Sequence, residues 1–127
     1  MCDMCEGLGP TEADLRAQVV RTIENFGWLV QLVDADEQRP ALAYTVGLTG
    51  FGLPEIYAEG LDLYLAGRLL NQAAELCVAG QSGEGSRIFG HDGREYVLDA
   101  AAAEDLYVAL DLYGSSVRAL RLKEQPK

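Results

Sequence analysis

The sequence predicts an α+β fold: a single domain in which a mostly antiparallel sheet of about five or six strands carries about three helices. Three observations lead there. At 127 residues the chain fits one domain of ~100–150 residues with one core. Two segments repeat apolar residues at helical spacing between a polar capping residue and a glycine. The segments around them are short, rich in aromatic and β-branched residues, and separated by clusters of glycine, proline and aspartate.

Residues 1–10 hold Gly7, Gly9 and Pro10, which oppose a continuous helix, and read as a flexible Cys-x-x-Cys arm before a domain over 11–127. Thr11 is a good N-cap, with Glu12 and Asp14 in the first turn where the helix dipole favours negative charge. Leu15, Val19, Ile23 and Phe26 follow at steps of three and four, and Gly27 stops that helix. Trp28 to Val33 reads as a strand, with a turn from Asp34 to Pro40. Ala41 to Leu48 is nearly all apolar, as a strand covered on both faces would be. Gly47, Gly50, Gly52 and Pro54 then form a tight loop before a short strand, Glu55 to Glu59.

Asp62 caps a second helix that runs to about Ala79, with Leu63, Ala66, Leu70, Ala73 and Cys77 on one face and Gly80 as the stop. After a connector from Gln81 to Gly85, Asp92-Gly93 between Arg87-Ile88-Phe89 and Tyr96-Val97-Leu98 signals a hairpin with a type I′ turn, beside which His91 sits. Ala100 to Tyr113 is ambiguous. Leu106, Val108, Leu110 and Leu112 alternate as in a strand, whereas Leu106, Leu110 and Tyr113 fit a helix; length, alanine content and Gly114 favour the helix. Ser116 to Leu122 reads as the last strand, and Gln125 to Lys127 as a frayed end.

Twenty acidic residues against ten basic ones give a net charge of −10, which repels phosphate backbones and excludes nucleic acid as a direct ligand. No stretch approaches the ~20 apolar residues of a membrane-spanning helix. The opening Met-Cys-Asp-Met-Cys-Glu has neither the basic nor the apolar region of a signal peptide, so a cytoplasmic location is expected. Three cysteines are an odd number for a disulfide framework. Arginine far outnumbers lysine, and alanine, glycine and leucine are abundant, the composition of a high-GC bacterial genome or one of its phages.

Gly27-Trp28-Leu29-Val30-Gln31, Ala43-Tyr44-Thr45-Val46-Gly47-Leu48, Leu53-Pro54-Glu55, Gly60-Leu61 and Leu69-Leu70-Asn71 follow in an order and spacing that resembles the bacterial domain-of-unknown-function family 4262. The likeness extends through Leu106 to Gly114 and Arg118 to Leu122, so it covers nearly the whole chain. The Met-Cys-x-x-Cys start resembles the actinobacterial branch. Members often carry a histidine before the Pro-Glu pair; Leu53 stands there, so no role for that histidine transfers to this chain. The resemblance implies fold boundaries and no activity.

Cys2 and Cys5, spaced by two residues, could share a tetrahedral zinc or cycle through a disulfide. Zinc needs four ligands, and His91, with Cys77, a carboxylate or the arm of a second copy in a homodimer, would have to complete the set. The plainer account is an arm with incidental thiols. Tyr44, Thr45, Phe51 and Glu55 would gather near the glycine loop as an aromatic-lined pocket with one carboxylate, although packing explains each of them as well. The glycine loop lacks the order and the lysine of a phosphate-binding loop, and the sole histidine has no partner at a nucleophile elbow. The expected role is therefore non-enzymatic: an interaction or regulatory module that binds another protein, for instance a phage- or mobile-element-encoded one that occupies a basic surface of a host factor. A zinc or thiol-redox protein using Cys2 and Cys5 is the alternative, and a small-molecule enzyme using Tyr44 and Glu55 the third.

Overall fold

The alternation of short apolar runs with turn residues resolves into six strands that join one sheet in a computed structural model, which describes residues 11–125. The elements are α1 (Glu12–Phe26), β1 (Leu29–Val33), β2 (Leu42–Val46), β3 (Glu55–Glu59), α2 (Leu63–Val78), β4 (Arg87–Phe89), β5 (Glu95–Ala101), α3 (Tyr107–Tyr113) and β6 (Ala119–Glu124). The sheet order is β1-β2-β3-β6-β5-β4, antiparallel throughout except where β3 and β6 run parallel. The α+β class and the mostly antiparallel sheet match the expectation. The arm over residues 1–10, with Cys2 and Cys5, lies outside the described residues.

Side chains alternate along each strand, so the sheet builds two cores. On one face Ala43, Ile56, Ala58, Tyr96, Leu98, Leu120 and Leu122 pack under α2, which contributes Ala66, Leu69, Leu70, Ala73, Ala74 and Cys77. On the other, Tyr44, Val46 and Ala119 pack with Leu106, Ala109 and Val117 around α3, with Val19 and Ile23 of α1 half-buried at the margin. β2 is consequently covered on both faces, as its apolar run implies: Ala43 through Val46 are all buried.

Local signals place the helix ends. Thr11 and Asp14 form a reciprocal capping box, each side chain accepting from the other's backbone N–H at 3.1–3.2 Å. Asp62 accepts from the Leu65 N–H at 3.0 Å to start α2. Gly47 is demanded by a close approach rather than by a turn alone. A Cβ there would stand 2.5 Å from the Gly27 carbonyl oxygen and 2.8 Å from the Trp28 Cα, at φ 131°.

The structure departs from the sequence reading in three places. Ala100 and Ala101 belong to β5, paired with Leu120 and Ala119, and the helix begins only at Tyr107. An alanine-rich segment has helical preference, yet a complete hydrogen-bonded ladder outweighs a preference of a few tenths of a kcal/mol per residue. Ser116 lies in a 3-10 turn and the last strand starts at Ala119, because the ladder with β3 opens there, where the Glu55 N–H donates to the Arg118 carbonyl at 2.9 Å. The β4–β5 turn is longer than two residues. Gly90 bonds back to the Arg94 carbonyl, and Gly93, at φ 80°, donates to the Gly90 carbonyl and closes the loop.

Candidate functional site

The glycine loop after β2 is organised by one carboxylate. Glu55, the first residue of β3, is fully buried, and its two oxygens accept five hydrogen bonds. The donors are the Thr45 hydroxyl (2.8 Å), the Thr49 hydroxyl (2.6 Å) and the backbone N–H groups of Gly47, Leu48 and Thr49 at 2.9–3.2 Å. The Thr45 hydroxyl in turn accepts from the Ile56 N–H at 2.9 Å. These bonds satisfy N–H groups that a 3-10 turn over Leu48–Phe51 would otherwise leave unpaired, so the carboxylate brackets the loop to the sheet.

Thr45 and Glu55 are thus together and sealed from solvent, while the other two predicted pocket residues lie elsewhere. Tyr44 is buried beneath α3, its hydroxyl accepting from the Val108 N–H at 3.1 Å, and burial raises its pKa. Phe51 is half exposed, its ring edge close to where a side chain on Gly27 would stand. None of the four lines either of the two clefts described below. His91 is exposed on the β4–β5 turn, and Cys77 is buried on α2, where burial pushes its thiol pKa up. Among the described residues no three of His, Cys, Asp or Glu gather to hold a metal.

Beside His91, Asp92 accepts from the Tyr96 hydroxyl at 2.5 Å. That bond holds the Asp92 carboxyl below its ordinary pKa, and burial together with the same carboxylate pushes Tyr96 up to about 12. A tyrosine raised above its unfolded pKa of 10.0 adds stability that is complete below pH 10 and is lost as pH climbs toward 12. Asp92 adds stability present above pH 3.8 and lost in more acidic solution. Urea midpoints measured across pH are expected to fall above pH 10. In Tyr96→Phe the alkaline fall should shrink, and the Asp92 carboxyl, followed by NMR, should titrate closer to its ordinary value; an unmoved carboxyl would contradict the assignment.

An open groove of about 590 Å³ lies between α1, β1 and α3. Leu15, Val19, Leu29, Val108 and Leu112 give it an apolar floor, and Arg16 and Asp111 face one another across it at 3.7 Å, exposed enough that the pair adds little stability. Around it the surface is unusually apolar. Leu15 is 49% exposed, Phe26 75% and, on the groove side of the edge strand β1, Val33 43%. Sequence reasoning took Leu15, Val19, Ile23 and Phe26 for a stripe; Val20, one residue beside it, widens the apolar face of α1 beyond what the sheet covers.

A second cleft, of about 400 Å³, lies where α2 meets the β4–β5 turn and is lined by Arg68, Asn71, Gln72, Glu75, Leu76 and His91. The five α2 residues recur at steps of three, one, three and one, a helical face whose polar members were the available sequence signal. No described helix is long and apolar enough to cross a membrane.

Comparison with known proteins adds a family and nothing finer. No curated protein and no solved structure matches the chain significantly. Residues 22–123 match the family described as Domain of unknown function (DUF4262), a span that runs from the last turns of α1 into β6 and so contains every strand pairing but the sheet's last contacts. With most of its length matched, the chain belongs to the DUF4262 family.

Proposed function

We propose that this domain is a non-enzymatic interaction module that takes an apolar segment of another protein, flanked by basic residues, into the groove between α1 and α3. One observation carries the reading. Among the α1 residues whose side chains are described, none is fully buried. A 15-residue helix in water is marginal alone and draws most of its stability from packing an apolar face. Here that face is half covered by the sheet, and Leu15, Val20 and Phe26 stay in contact with solvent. A partner seated along α1 and the edge strand would cover them.

Charge selects the kind of partner. The chain carries −10, and Asp14, Glu24 and Asp111 are exposed on α1 and α3, so a segment with lysine or arginine beside its apolar anchors is attracted where an acidic one is repelled. A phage- or mobile-element-encoded protein that occupies a basic host surface is the form of this reading that the composition favours.

In the isolated domain α1 amides are expected to exchange with solvent through openings at least about 2 kcal/mol easier than those of α2, which buries six residues. Hydrogen exchange read by mass spectrometry checks this, and equal protection would remove the motive for a partner. The proposal itself is tested by placing a photo-crosslinking residue at Leu15, or at Glu84 as a distant control, in the native cell. A partner captured from Leu15 alone, whose purified form loses affinity for Phe26→Glu by roughly tenfold or more, supports the reading. Identical capture from both positions, or undiminished binding by Phe26→Glu, overturns it.

A further inference from the structure

Each edge of a sheet is a row of backbone groups without a strand beside them, and here the edges are β1 and β4. The β4 edge is blunted. It is three residues long, and its Phe89 carbonyl accepts from the Gln72 amide of α2 at 2.6 Å. β1 runs Leu29-Val30-Gln31-Leu32-Val33 in unbroken register with β2, and has no charge, no proline and no bulge, the devices that keep edges apart.

The pairing of β2 decides which β1 groups are free. The Gly60 N–H donates to the Ala41 carbonyl at 2.8 Å, one step beyond the Leu42–Glu59 pair, so Ala41 bonds toward β3. Bonding sides alternate along a strand, which turns Ala43 toward β3 as well and Leu42, Tyr44 and Val46 toward β1. Their partners there are Val33, Gln31 and Leu29. Val30 and Leu32 therefore direct their N–H and C=O groups away from the sheet, and no hydrogen bond from a described residue reaches them. The side chains alternate too. Val30 and Leu32 lie on the α2 face and Leu29, Gln31 and Val33 on the face of the α1 groove, with Leu32 47% exposed and Val33 exposed beside it.

We propose that the free edge of β1 pairs antiparallel with the β1 of a second copy, about a two-fold axis through Gln31, so that one sheet crosses a homodimer. The sequence of the strand selects this occupant. Turned end for end, Leu-Val-Gln-Leu-Val sets Leu29 against Val33, Val30 against Leu32 and Gln31 against Gln31, so apolar meets apolar on both faces and amide meets amide at the axis. The free backbone groups agree with that register. Val30 and Leu32 form hydrogen-bonded pairs with Leu32 and Val30 of the second copy, while Gln31 stands in a non-hydrogen-bonded pair across the axis. Both exposed side chains gain cover, Leu32 from Val30 and Val33 from Leu29 of the second copy. Just past the strand, Asp34 falls opposite Trp28 rather than an acid. A strand from an unrelated protein would need no such symmetry.

A ladder of this length belongs with the small interfaces, under ~1,200 Å², of transient complexes, so the dimer forms reversibly. Two chains of −10 repel each other, and salt that screens them tightens the dimer. The ladder runs in the plane of the sheet, whereas the groove opens on one face. This inference therefore goes beyond the interaction reading and does not rest on it.

Sedimentation of the full chain over a concentration series, at low and at high salt, should show a monomer–dimer equilibrium that moves toward dimer as salt rises. Leu32→Lys, at an exposed position, should weaken the dimer by roughly tenfold or more with the melting temperature of the dilute protein unchanged. Cysteines placed on the strand then test the register, in a background of Cys2→Ser and Cys5→Ser. Gln31→Cys meets its counterpart at a Cα separation of ~4.5 Å and should give a disulfide-linked dimer with oxidised glutathione. Val33→Cys, although more exposed, faces Leu29 of the second copy and lies ~13 Å along the strand from its counterpart, so it should not. A chain that is monomeric at every concentration, an association that Leu32→Lys leaves undiminished, or failure of Gln31→Cys to cross-link beyond the level of Val33→Cys overturns the proposal.

Discussion

Glu55→Ala is expected to lower the stability of the domain by about 4 kcal/mol, because several buried neutral donors lose their acceptor at ~1–3 kcal/mol each and part of that is recovered where hydroxyls turn to other partners. The substitution takes the acceptor from five donors at once, three of them backbone N–H groups of the loop. Against a total stability of ~5–15 kcal/mol this is a large fraction, enough to leave part of the population unfolded at physiological temperature. Glu55→Gln keeps one acceptor but turns an amide N–H₂ toward donors, and should lose about 2 kcal/mol. Urea midpoints at constant slope measure both. A loss below about 1 kcal/mol for Glu55→Ala would mean that the loop holds without its carboxylate.

Gly47→Ala is expected to lose about 3 kcal/mol, from a positive φ that L residues disfavour by ~1–2 kcal/mol and from a Cβ driven into backbone. Backbone cannot step aside as a side chain can. The neighbours, the Gly27 carbonyl and the Trp28 Cα, sit where α1 ends and β1 begins, so relief would require prising β1 from β2. Gly52→Ala is the matched control: its φ of 76° is also positive, yet nothing lies within 4 Å of the added methyl. It should lose only the ~1–2 kcal/mol of conformational strain. Equal losses at the two positions would show that φ, and not the close approach, makes Gly47 necessary.

These two residues mark the boundary of what could be read in advance. α2 was legible because each of its signals is local: Asp62 at the cap, a stripe through Ala66, Leu70, Ala73 and Cys77, and Gly80 beyond the end. β2 was legible because burial on both faces leaves an unbroken apolar run. The extent of β5 was not, since Ala100 and Ala101 are strand only by virtue of Leu120 and Ala119, about twenty residues on. Glu55 was singled out for a pocket, whereas its oxygens are consumed by Thr45, Gly47, Leu48 and Thr49, a pattern visible only once the loop is folded back on β3. The cleft on α2 escaped notice for a similar reason. Polar residues at helical spacing describe any solvated face until a turn such as that at Gly90 to Arg94 is laid against it.

The single parallel pairing sets the order in which the molecule can be made. β6 is last in the chain and sits third from one end of the sheet, between β3 and β5, with Glu55 beside Ala119. Until residues 119–124 have left the ribosome, the β1-β2-β3 meander and the β4–β5 hairpin share no strand pairing, and each has a raw edge where β6 will lie. Closure over so long a separation comes slowly. β6 therefore acts as a keystone: a chain cut before residue 119 would keep two half-sheets with no backbone ladder between them, held only by what each packs against α2.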